Sequence, residues 1–153
     1  LSGNDALSGG DGNDTISGHQ GGDDLQGSRG NINTYRINFK ESVEGGRGND
    51  RLWGGKGRDT LDGGSGNDKL KGGDGADLFV FGQGDDTVKD FDTGATSERI
   101  DLGAADGISS YGDLIANHVS QSSAGLRITD ADGDTLLLAG LTEQDLQADD
   151  FLF

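Results

Sequence analysis

The chain has no cysteine, no proline and no methionine among its 153 residues. Without cysteine there is no disulfide staple and no thiol nucleophile, so stability outside a cell has to come from another device. Basic residues are scarce, 12 against 28 acidic ones for a net charge of -16, which makes nucleic acid and anionic membrane surfaces poor partners. No apolar run is long enough to span a bilayer. There is no zinc-binding histidine pair and no phosphate loop leading into a helix, and these absences argue against an enzyme. The length allows one ordinary domain, or a repeat array with a cap.

What the chain has in excess is glycine, 30 residues, placed periodically. Such content ordinarily points to disorder; a fixed period points to order. Apolar residues recur every nine positions at Leu7, Ile16, Leu25, Val43, Leu52, Leu61, Leu70, Phe79 and Val88. Two places before each stands an acid: Asp5, Asp14, Asp23, Glu41, Asp50, Asp59, Asp68, Asp77 and Asp86. The unit reads Gly-Gly-x-Gly-x-Asp-x-apolar-x, as in Gly63 to Lys71. This is the nonapeptide of a parallel β-helix that binds calcium between its coils. The expected fold is all-β, a right-handed parallel β-roll over 1–89 with a mixed, mainly β cap over 90–153. The chain opens inside a repeat, which points to a piece of a larger protein, acting as a monomeric module.

Each unit offers one inward side chain on a three-residue strand, and its glycines permit tight turns. Two units make one flattened coil, so turns on the same edge lie 18 residues apart in sequence. Adjacent strands are about 4.8 Å apart and calcium takes oxygens at about 2.4 Å, so an ion between stacked turns reaches both. The expected pairs are Asp5 with Asp23, Asp50 with Asp68, Asp59 with Asp77, and Asp68 with Asp86. Turn carbonyls complete the shell: Gly10, Gly12, Gly46, Gly48, Gly55, Gly57, Gly64, Gly66, Gly73 and Gly75. Two carboxylates at this spacing repel by about 3 kcal/mol at an effective dielectric near 20. Ligation reverses that sign and turns binding free energy into folding free energy, through several calcium ions. The ion-free chain is expected to be largely disordered and the loaded one a rod.

The motif degenerates over 27–44, where Ile32 replaces the acid and Tyr35, Ile37 and Phe39 alternate as in an ordinary strand. Two coils without ion sites fit this better than a hairpin bulging out in phase, because Glu41 and Val43 keep their offsets. Beyond residue 90 the period disappears. Ser110 with Asp113 has capping-box spacing ahead of Tyr111, Leu114, Ile115 and Val119. Leu126 to Thr129 and Thr135 to Ala139 read as strands around an Asp130–Asp134 turn, which lacks the glycine of a calcium loop at Thr135. Thr142 with Asp145 caps a further short turn. His19 and His118 read as lone turn or surface residues, and Trp53 as an outward residue packed on a neighbouring coil.

These repeats resemble the RTX (repeats-in-toxin) calcium-binding β-roll proteins of Gram-negative bacteria. Asp86-Thr87-Val88-Lys89-Asp90-Phe91, with Arg99-Ile100-Asp101-Leu102, is similar to the segment after the roll in serralysin-type proteases and mannuronan C5-epimerase R-modules. The ending Asp149-Asp150-Phe151-Leu152-Phe153 resembles tails recognised by a type I secretion exporter. The resemblance implies calcium ligation by the acids of the intact repeats, with Asp90 on the last ion. It also implies a non-catalytic module that stays unfolded in the cell and folds when secreted into extracellular calcium, stabilising an attached passenger. An alternative is an R-module binding an anionic polysaccharide such as alginate. Arg36, Lys40, Arg47, Arg51, Lys56, Arg58, Lys69 and Lys71 cluster mid-chain, and Arg51, Lys69 and Lys71 are expected to face outward.

Overall fold

One apolar residue in nine can bury itself only against the corresponding residue of the next coil, and the architecture does this repeatedly. The structure, a computed structural model, describes residues 5–11, 14–17, 24–29, 32–34, 41–94 and 98–153. His19, Asp23, Gly12, Tyr35, Ile37 and Phe39 lie outside them, as do Arg36 and Lys40; the side chains of Asp14 and Ile32 are likewise not described.

In chain order the strands are β1 (Ala6–Asp11), β2 (Asp14–Ile16), β3 (Asp24–Arg29), β4 (Ile32–Thr34) and β5 (Ser42–Glu44). There follow β6 (Arg51–Gly57), β7 (Thr60–Asp62), β8 (Lys69–Gly75), β9 (Leu78–Val80), β10 (Asp85–Val88) and β11 (Arg99–Asp101). The last four are β12 (Val119–Ser122), β13 (Gly125–Thr129), β14 (Thr135–Ala139) and β15 (Phe151–Leu152). Strands from alternate repeats fall into two sheets. The first runs β1-β3-β5-β7-β9-β11-β15, and the second runs β12-β13-β14-β10-β8-β6-β4-β2. Pairing within the array is parallel with an 18-residue offset, as in Leu52 opposite Leu70 and Leu61 opposite Phe79. This is the expected parallel roll.

The apolar positions form two facing columns. Leu25, Val43, Leu61, Phe79, Ile100 and Phe151 come from the first sheet; Ile16, Leu52, Leu70, Val88 and Leu138 come from the second. β4 and β5, inside the degenerate stretch, keep the register: Asn33 pairs with Arg51 and Val43 with both Leu25 and Leu61. These strands behave as coils of the stack.

Stacking continues where the nine-residue period stops. β11 adds to β9, β15 to β11, and β14 to β10, all in parallel. β13 and β12 then turn the second sheet antiparallel. Ser110 accepts a hydrogen bond from the Asp113 N–H at 3.3 Å, capping a single helical turn, Tyr111–Asp113, that passes into a π-helical turn, Leu114–His118. The Thr142–Asp145 capping box is present. Leu114, Leu126, Ile128 and Leu146 are buried and extend the core beyond the last coil.

Stacked turns approach so closely that side chains cannot fit between them. Gly66 has φ +137°, and a Cβ there would overlap the Gly48 carbonyl. Gly133, at φ +93° in the cap, has nothing within 4 Å of the same position. Gly66→Ala is therefore expected to abolish the calcium-dependent β-structure signal in circular dichroism, whereas Gly133→Ala costs about 1 kcal/mol in thermal unfolding.

Candidate metal centre

The acid sits at the end of the glycine turn, one residue before the strand for Asp50, Asp59, Asp68 and Asp77 and just inside it for Asp86, and the stack carries it out of water. Asp50, Asp59, Asp68, Asp77 and Asp86 are each 1–2% exposed. One oxygen of each later carboxylate is spent on the neighbouring coil. Asp68 Oδ1 accepts the Asp50 N–H at 2.8 Å, and Asp86 Oδ1 accepts the Asp68 N–H at 2.9 Å. On the opposite edge Asp59 Oδ1 accepts the Glu41 N–H at 3.0 Å, and Asp77 Oδ1 accepts the Asp59 N–H at 2.9 Å. The expected pairs 50/68, 59/77 and 68/86 are thus brought together; the partner of Asp5, Asp23, lies outside the described residues.

The second oxygen carries the chemistry. Oδ2 of Asp59, Asp68 and Asp77 is buried and has no hydrogen-bond donor. It leans over the first glycine of its own repeat, where a Cβ on Gly54, Gly63 or Gly72 would collide with it. A desolvated carboxylate oxygen without a donor is costly unless a proton or a cation meets it. Burial is the first cause of the raised carboxyl pKa values here, and for Asp68, Asp77 and Asp86 the charge of the stacked neighbour adds to it. Asp68 and Asp77 are pushed up to about 6 and Asp86 to about 7, and Asp59 is raised as well.

Carbonyl oxygens crowd the same space between turns. A Cβ on Gly45 would lie 2.6 Å from the Gly63 carbonyl, and one on Gly82 would lie 2.6 Å from that of Gly64. The carbonyls of Gly46, Gly48, Gly55 and Gly57 face Gly64, Gly66, Gly73 and Gly75 of the next coil. Gly46 and Gly64 also accept backbone hydrogen bonds from Ser65 and Gln83, at 2.8 and 2.9 Å. Gly10 is in place with φ +79° and open space around it. Among the described residues, no three acidic or histidine side chains cluster closely enough to hold an ion by themselves. An ion needing six to eight oxygens would draw most of them from these carbonyls. The donor set of hard oxygens with no nitrogen or sulfur fits calcium.

Several residues take roles that the motif does not announce. Asn49 and Asn67 form a second ladder: Asn49 accepts from the Asn67 N–H at 2.8 Å, and Asn67 accepts from the Asp85 N–H at 3.0 Å. Their 18-residue spacing was a readable signal. Glu98 precedes Arg99, which pairs with Leu78, so it occupies the acid position of the coil after Asp77. It is 2% exposed, accepts the Asp92 N–H at 2.8 Å, and burial together with Asp77, Asp90 and Asp92 pushes its pKa up to about 8. Its offset from Asp77 is 21 rather than 18, which hides it from a periodic search.

Other acids are used structurally. The Asp90 carboxylate accepts the N–H groups of Gly72 and Gly73 at 3.0 and 3.1 Å, clamping that turn. Asp130 accepts from the N–H groups of Asp132, Gly133, Asp134 and Asp106, the saturated arrangement of a hairpin tip. His118 is not a lone histidine: its Nδ1 lies 2.8 Å from the Thr129 carbonyl and its Nε2 lies 3.9 Å from Asp113. Arg51, Lys69 and Lys71 share one face: Arg51 is in register with Lys69, and the Lys71 ammonium lies 4.8 Å from the Trp53 ring centroid.

Comparison with known proteins follows the same lines. Residues 1–31, 38–70 and 57–88 match the family of RTX calcium-binding nonapeptide repeats (4 copies). The solution structure of the AlgE6R3 subunit of the Azotobacter vinelandii mannuronan C5-epimerase superposes with a TM-score of 0.60 at 31% identity, over 81% of this chain and 78% of that one. The extracellular lipase LipA of Serratia marcescens gives a TM-score of 0.48 at 17% identity, over 99% of this chain and 38% of the lipase. No curated protein sequence matches the chain.

The sign of the pH dependence follows from the burial. Folded pKa values of about 6 for Asp68 and Asp77 and about 7 for Asp86 lie above the ordinary 3.8, so the folded state holds these protons more tightly. Their contribution to stability without calcium is present below about pH 4 and is lost as pH rises through about 6 to 7. In circular dichroism, the calcium-free chain should therefore keep more β-structure near pH 5 than near pH 7.5. A flat or rising signal over that window would place these carboxyls in water.

Proposed function

The chain belongs to the RTX calcium-binding nonapeptide-repeat family, and from that membership we propose that it is a non-catalytic folding module switched on by extracellular calcium. In this reading calcium, when bound, supplies the positive charge that the buried carboxylates lack. Oδ2 of Asp59, Asp68 and Asp77, with the equivalent atoms of Asp50 and Asp86, binds it together with turn carbonyls of Gly46, Gly48, Gly55, Gly57, Gly64, Gly66, Gly73 and Gly75. Asp5, Asp14, Asp23, Gly10 and Gly12 do the same in the first coils. Asp90 holds the Gly72–Gly73 turn in the shape the site needs. The observation that carries the reading is the donor-less, buried Oδ2 of Asp59, Asp68 and Asp77.

At the low calcium of a cell interior the carboxylates repel and the chain stays open. That state suits passage through a type I exporter, with the Asp149–Phe153 tail as its address. Outside, ligation and folding become one equilibrium, and the stacked rod then stabilises the passenger to which it is joined.

A second reading is favoured by one surface. Arg51, Lys69 and Lys71 are exposed on the second sheet, in register and beside Trp53, on a chain of net charge -16. This basic face suits an anionic polysaccharide such as alginate, in keeping with the epimerase subunit that the chain is similar to.

Two measurements test these readings. Circular dichroism should show a largely disordered chain in chelator and a β-rich one in calcium. Asp68→Asn should raise the calcium midpoint by about tenfold or more, while Asp74→Asn, a surface partner of Lys56, leaves it unmoved. Equal midpoints for the two variants would remove the buried carboxylate from the mechanism. Alginate oligomers titrated into the calcium-loaded chain should shift amide signals of Arg51, Lys69 and Lys71 if the second reading holds, and leave them still if it does not.

A further inference from the structure

The outward side of the first sheet carries acids in a row: Glu44, Asp62 and Asp101 are aligned across β5, β7 and β11, with Val80 of β9 between the last two. Beside that row lies a pocket of about 350 Å³ lined by Arg58, Ala76, Asp77, Leu78, Arg99 and Leu152. It differs from the basic face in sheet, in residues and in shape. Arg58 precedes β7, Arg99 lies on β11 opposite Leu78, and Leu152 comes from β15, so three coils and the C-terminal strand build it.

Its two cations are available to an outside anion. Among the described residues neither the Arg58 nor the Arg99 guanidinium takes part in an ion pair or a hydrogen bond, although acids outnumber bases 28 to 12. Other surface cations do find acids: Lys56 meets Asp74 at 3.9 Å and Arg127 meets Asp85 at 3.7 Å. The acid in the pocket wall, Asp77, is 1% exposed, gives Oδ1 to the Asp59 N–H and leans with Oδ2 over Gly72. It belongs to the buried ladder and does not reach out to the guanidinium groups. Leu78 and Leu152 are half-buried and give the pocket an aliphatic wall.

Two exposed guanidinium groups over an aliphatic wall fit a ligand with a carboxylate at one end and a C–H face beside it. We propose that this pocket binds a carboxylate-bearing unit of an acidic saccharide, with Arg58 and Arg99 on the carboxylate and Leu78 and Leu152 against the ring. The proposal takes its ligand class from the polysaccharide reading but places the contact on the opposite sheet.

The test is a methyl NMR titration of the full chain in saturating calcium with a mannuronate trisaccharide, alongside the neutral mannose trisaccharide and sodium acetate. The mannuronate sugar should shift the Ala76, Leu78 and Leu152 methyl signals; the neutral sugar should not, and acetate should do so only at much higher concentration. The double variant Arg58→Ala/Arg99→Ala changes exposed side chains without partners, so it should fold normally while losing at least about tenfold in affinity at these methyls. Arg51→Ala/Lys69→Ala should leave the methyl shifts in place. Still methyls with a responding second sheet would overturn the pocket and spare the polysaccharide reading; no response on either sheet would overturn both. Acetate binding as tightly as the trisaccharide would overturn the saccharide as occupant.

Discussion

The carboxylate that ends each glycine turn has two oxygens in different circumstances, and the rest of the molecule depends on that difference. In Asp59, Asp68 and Asp77, Oδ1 closes a hydrogen bond to the backbone of the adjacent coil while Oδ2 is buried with no donor. The first contact fixes the register of the stack, and the second makes that register unfavourable until charge is supplied. Hydrophobic burial is too sparse to override the conflict, since each coil contributes one residue per sheet to the interior. A cation between turns is then a structural member, and glycine is required because the turns must lie close enough for one ion to touch both.

Much of this was legible in the chain itself, for a specific reason. Leu52, Leu61, Leu70 and Phe79 repeat at nine, and a strict period leaves one register open to a parallel stack, so the columns and the stacked acid pairs follow from counting. What escaped was whatever broke the period. Glu98 stands in the acid column, but a 21-residue link from Asp77 displaces it. β11, β14 and β15 extend both sheets although their sequences carry no nonapeptide unit, because Ile100, Leu138 and Phe151 fill the next places in the apolar columns. Asp90 shows a different limit. Its place in the sequence marks it as a ligand candidate and does not announce that its carboxylate accepts the Gly72 and Gly73 N–H groups. His118 shows the same limit, since its neighbour Asp113 is set by a π-helical turn that no pattern of residues signalled.

The two outer surfaces of the roll are charged differently, although the first carries the exposed Arg99 beside its acids. Arg51, Lys69 and Lys71 project from the second sheet, and Glu44, Asp62 and Asp101 from the first. Because strands alternate between sheets along the chain, a basic repeat followed by an acidic one sorts charge into two faces without any long-range design. A chain that is strongly acidic on average can therefore present a cationic surface to a partner.

The alternation has an evolutionary corollary. Each coil touches only the coils above and below it, so a segment of 18 residues can be duplicated or deleted and the flanking turns still meet matching turns. A change of nine residues is different in kind. It would send every following strand to the other wall of the roll and exchange the two surfaces from that point onward. Growth of such an array is thereby quantised in pairs of repeats, and the stretch from Gly27 to Glu44, one such pair that has drifted in sequence while β4 and β5 stayed in step, is the form in which a worn coil survives.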